Sequence, residues 1–100
     1  MSAWTPTSGR TPDAMPEICS FYGIVVRMYY DDHRPPHFHV SYQGADAVVR
    51  IDPLAVVRGD LPGRARAMVM EWGLAHREEL RQNWVRAERG ERIFPIAALE

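Results

Sequence analysis

Two short runs of alternating residues flank the dipeptide Gln43-Gly44, His37 to Tyr42 before it and about Ala45 to Asp52 after it. They leave this chain few ways to fold. In a strand, side chains two apart share a face, and an X-Gly pair suits the tight turn of a hairpin because glycine takes positive φ without cost. With a two-residue turn, Tyr42 pairs with Ala45. Val40 then faces Ala47 and Phe38 faces Val49 on an apolar side. On the other side Ser41 faces Asp46, His39 faces Val48 and His37 faces Arg50. The two runs agree in parity, and a slip by one residue would send the whole apolar set to the wrong face.

The run just before this hairpin carries the candidate chemistry. Asp31-Asp32-His33-Arg34-Pro35-Pro36-His37-Phe38-His39 places three of the four histidines within seven residues. Proline fixes φ and holds its predecessor extended, so Arg34-Pro35-Pro36 reads as a stiff connection into the strand. Upstream, Phe21 to Tyr30 reads as a first strand, with Ile24, Val26 and Met28 on one side. Pairing that side with Phe38 and Val40 leaves Arg27, Tyr29, His37, His39 and Arg50 together on the polar face.

Downstream, Asp52-Pro53 turns the chain and Leu54 to Arg58 suits a short edge strand. Asp60 and Pro62 mark a helix start. Ala65, Met68, Val69, Trp72, His76, Leu80, Trp84 and Ala87 then recur at helical spacing, and Gly90 closes the run as a C-terminal cap. The fold expected is α+β: three or four antiparallel strands in a meander, followed by one long helix packed on one face. Unbroken, that helix has roughly 27 residues and spans about 40 Å, twice the ~20 Å of such strands. Either it bends near Gly73 or a second subunit covers the excess stripe, so a homo-oligomer is expected. Ile93 to Ile96 should dock on the sheet or on a partner.

Residues 1–14 are rich in Ser, Thr, Pro and Gly without apolar period and are expected to be a disordered N-terminal extension. Residues 15–100 form the single α+β domain, and Met15-Pro16 is a candidate second start. One cysteine, Cys19, leaves no internal disulfide and fits a reducing cytoplasm. No apolar run is long enough to span a bilayer as a helix. The net charge of −1 speaks against a general nucleic-acid coat, which is normally basic. All twelve basic residues are arginine, whose guanidinium forks match carboxylate and phosphate.

The segments Pro16-Glu17-Ile18, Phe21-Tyr22-Gly23-Ile24, Met28-Tyr29-Tyr30 and Pro35-Pro36-His37-Phe38-His39 resemble the bacterial family called domain of unknown function 4160. Glu71-Trp72, His76-Arg77-Glu78-Glu79-Leu80 and Asn83-Trp84 extend the resemblance from about Met15 to the C-terminus. It implies a small bacterial cytoplasmic protein, often one of a two-gene cassette of toxin–antitoxin type, with a co-encoded small protein as partner. It supplies no catalytic list.

Three readings of the histidine run stay open. The residues can hold a divalent metal such as zinc through His33, His37 and His39 with Asp32. They can act on RNA or a nucleotide, His37 and His39 as acid and base, with Arg27 or Arg50 on the phosphate. Or they brace the turn and define a protein-binding surface. The leading expectation is a regulatory or interaction protein binding a protein partner, the alternative a hydrolase.

Overall fold

The computed structural model describes residues 16–100, so the expected N-terminal extension lies outside the described residues. Five strands form one antiparallel meander in the order β1-β2-β3-β4-β5: Glu17–Phe21, Ile24–Arg27, His37–Tyr42, Ala45–Arg50 and Ala55–Gly59. Two helices follow, α1 over Gly63–Ala75 and α2 over Arg77–Glu88.

The central hairpin has the expected register, Tyr42 opposite Ala45 through to His37 opposite Arg50. The strand before it is also in the preferred frame, with Val26 opposite Val40 and Arg27 opposite His39. Ile24, Val26, Met28, Phe38, Val40, Val49 and Ile51 are therefore all buried. The strand expected over Phe21 to Tyr30 is instead two. Tyr22 and Gly23 both take positive φ, 50° and 81°, as Gln43 and Gly44 do. That is the turn geometry whose twist matches a two-residue hairpin, so Tyr22-Gly23 folds Glu17–Phe21 back onto β2. This second X-Gly turn accounts for the fifth strand.

The single long helix is also corrected. His76 has φ −118° and ψ 24°, outside helical geometry, and divides α1 from α2. The bend falls at His76 and not at Gly73. Gly73 is buried, and a side chain there would come within 3.0 Å of Leu54, so its smallness serves close packing on the β4–β5 turn. Asp60 makes no cap across the helix start; its Oδ1 accepts the adjacent Leu61 N–H at 2.9 Å, and Pro62 takes the N-cap position. The far end is as expected. Gly90 at φ 73° lets its N–H reach Ala87 O and the Glu91 N–H reach Arg86 O, satisfying the last carbonyls.

The break changes how the apolar stripe is covered. Trp72, Leu80 and Trp84 are all buried within the chain. Trp72 packs edge-on to Phe38, ring centroids 5.8 Å apart, and against Phe21 at 5.7 Å. The helix-length mismatch that suggested a second subunit is thereby removed. The C-terminal segment completes the cover: Ile93 and Ile96 are buried, and the Ile96 N–H donates to Ile18 O at 2.9 Å, closing the β1 edge. Asn83, buried in α2, holds that segment from both sides. It donates to Phe94 O at 2.8 Å and accepts the Phe94 N–H at 3.0 Å. No helix is long and apolar enough to cross a membrane among the described residues.

Candidate functional site

The connection between β2 and β3 brings the histidines to one acidic residue. Asp31, at φ 56°, turns the chain, and its N–H reaches Ala87 O at 3.4 Å, tying the loop to α2. Arg34 pairs with Glu88 of the same helix at 2.9 Å. Held from that side, Asp32 points back toward the start of β3. Its Oδ2 lies 2.9 Å from His37 Nε2 and 3.0 Å from His39 Nε2; its Oδ1 lies 2.9 Å from His33 Nδ1. The backbone N–H of His33 adds a fourth contact at 2.8 Å. Burial by itself would raise the Asp32 carboxyl. The bonds from His39 and the His33 backbone, with the influence of His37, outweigh that and hold it below the usual value.

His37 is the most constrained of the three rings. Its Nδ1 faces Pro35 O at 2.7 Å, and a carbonyl only accepts, so this nitrogen carries a proton. Its Nε2 faces the Asp32 carboxylate. Both ring nitrogens thus meet oxygen atoms. Strand alternation places His37 on the open face, yet the residue is only 4% exposed. Trp84 of α2 packs beside it, ring centroids 5.1 Å apart, so this end of the outer face is closed. The Trp84 indole N–H has no acceptor among the described residues. His39 is half-buried and stacks on Tyr29, 4.1 Å between centroids and 11° between planes. His33 is exposed.

The four residues named from the sequence as metal ligands therefore meet, but not equally. One ligand atom each from Asp32, His33 and His37 lies within 4.8 Å of the others; His39 joins only through Asp32. His76 is elsewhere, pairing with Glu79 and packing on Trp72. Burial pushes the Cys19 thiol up, and Glu17 adds to that, which makes it a poor thiolate ligand.

The two arginines expected on phosphate part company. Arg27 lines a cavity of about 450 Å³ on the outer face, with Tyr29, His39, Ser41 and Asp46. Arg50 turns away and donates its Nε–H to Pro53 O at 3.1 Å, although it also borders a neighbouring cavity of about 320 Å³ beside His33, His37 and His39. Arg58, which the sequence did not single out, lines both cavities. A β-bulge next to Val48 puts Arg58 opposite Val48. Its signal was an arginine on an edge strand, which the bulge turns to the face opposite Val56; that was visible only once β5 was registered against β4.

No curated protein and no solved structure matches the chain significantly. A family model does match, over residues 23–85, a span holding β2 to β5, the histidine loop, α1 and most of α2. By that match over well over half its length, the chain belongs to the family described as Domain of unknown function (DUF4160).

Proposed function

We propose that the protein is a small interaction module that binds a protein partner through the outer face of its sheet, as one component of a two-gene pair of toxin–antitoxin type. The observation that supports this most is the division of the sheet. Its inner face is sealed by Trp72, Leu80 and the C-terminal segment, while the outer face keeps Arg27, Tyr29, His39, Val48 and Arg58 only half-buried or exposed. Val48 and Val57, flanked by arginines and an aromatic ring, give the composition that protein interfaces favour. The arginines suit an acidic segment on the partner. Co-expression with the product of the adjacent gene tests it. The expected result is a stoichiometric complex with slowed amide exchange in β2 to β5. Slowing confined to α1 and α2 would contradict the outer face as the docking surface.

A second reading is an RNA- or nucleotide-directed hydrolase. It is favoured by the cavity that joins His39 to Arg27 and Arg58. Against it, His37 and His39 both turn onto one oxygen of Asp32 instead of standing apart as acid and base. Its test is RNA cleavage that disappears in His39→Ala.

A further inference from the structure

We infer that Asp32, His33 and His37 form a site for one zinc ion or a similar transition-metal cation, at the rim of the outer sheet face. The inference stands on the donor arrangement and is independent of any protein partner. His37 Nδ1 is committed to Pro35 O at 2.7 Å. That fixes the ring and directs the Nε2 lone pair toward Asp32 Oδ2, 2.9 Å away. A backbone carbonyl on the far nitrogen is how metal-binding histidines are commonly oriented. His33 Nδ1 stands 2.9 Å from the other oxygen, Oδ1. Two imidazole nitrogens thus converge on one carboxylate, a donor set that a single cation can bridge.

Distances and chemistry agree with that ion. Ligands about 2.0–2.1 Å from a tetrahedral zinc stand about 3.3 Å apart. His33 Nδ1 and His37 Nε2 each lie slightly closer than this to an Asp32 oxygen, Oδ1 and Oδ2 respectively, and one donor atom from each of the three residues lies within 4.8 Å of the others. The remaining adjustment falls on His33, whose side chain is 78% exposed and can rotate. Two imidazoles and a carboxylate suit zinc, copper or nickel better than magnesium or calcium, which prefer oxygen alone. His39 then has a positioning role: its Nε2–H donates to Asp32 Oδ2 at 3.0 Å and orients the carboxylate. Three protein ligands would leave a fourth position for water or an anion; His33 and His37 line a cavity that Arg50 and Arg58 also border.

The test is calorimetric titration of zinc into the full-length chain, purified without an affinity tag and stripped with chelator. The expected result is one zinc per chain, a higher melting temperature with zinc, and tetrahedral absorption bands when cobalt replaces it. His33→Ala should weaken binding by at least tenfold and remove the cobalt bands. An exposed ring is lost, so folding is not at issue. His39→Ala should weaken binding about 10–100-fold, as loss of an orienting partner does, while His76→Ala leaves it unchanged. A wild-type chain that takes up no zinc overturns the inference, and so does a His33→Ala chain that binds zinc as tightly as wild type.

Discussion

Asp32 gathers three histidines because the loop that carries it is pinned to α2, while two of the rings are delivered by a strand. Position and chemistry therefore separate by residue. Phe38 is fully buried in the inner core, and Phe38→Ala should cost ~3–5 kcal/mol in urea unfolding. His39 sits half-buried on the outer face, so His39→Ala should cost only about 1 kcal/mol for its one bond to Asp32. His37 does not behave as its alternation suggests. It is buried against Trp84 and bonded at both nitrogens, so His37→Ala should fall between the two. Equal unfolding midpoints for His37→Ala and His39→Ala would show that the Trp84 contact stabilises nothing. The structural role of Asn83 was not legible in the sequence, because a polar residue on a helix reads as solvent-facing. Its two bonds to the Phe94 backbone mean that Asn83→Ala strands a donor and an acceptor. A loss of about 2–4 kcal/mol is expected.

At the scale of elements, the central hairpin was legible in full because a period of two permits only one frame around Gln43-Gly44. The same logic missed Tyr22-Gly23, since Glu17 to Phe21 does not alternate cleanly; Ile18 and Cys19 are both buried beside a bulge. The helix break was misplaced for a related reason. Propensity points to Gly73, but Gly73 packs closely under Leu54 inside an unbroken α1, and the chain bends one turn later. Asp52 fastens the β4–β5 turn to α2. Its two oxygens accept from Arg81 at 2.6 and 2.7 Å. These bonds, with the nearby charges of Arg81 and Arg77, hold the Asp52 carboxyl below its usual value. A depressed folded-state value means stability that is present above the ordinary carboxylate range and lost as pH falls through the folded value. Wild type should therefore exceed Asp52→Asn in stability near neutral pH, with the gap closing in acid and shrinking in high salt. A gap that is constant with pH would mean that the ion pair contributes nothing.

For the molecule as a whole, the inner face is closed and the outer face carries the histidine cluster and the two cavities beside it. The buried Trp84 belongs to the chain's own core, so Trp84→Ala should cost ~3–5 kcal/mol at any protein concentration. An unfolding midpoint that rises with concentration, for wild type or variant, would show that a second subunit takes part. The site was half legible. Asp32, His33, His37 and His39 were named from their spacing, but their convergence on one carboxylate needed the loop's attachment to α2. Arg58 needed the register of an edge strand.

The central functional proposal is that the outer sheet face binds a protein partner. The most direct measurement is the affinity of the Arg27→Glu, Arg58→Glu double variant for the product of the adjacent gene, with urea unfolding as the control for folding. Both side chains lie on the outer face, where surface substitutions change stability little, so the variant should unfold as wild type does. Its affinity should fall at least tenfold, since two guanidinium contacts become repulsive. A folded double variant that binds the partner as tightly as wild type would contradict the account and move the interface away from the outer sheet face.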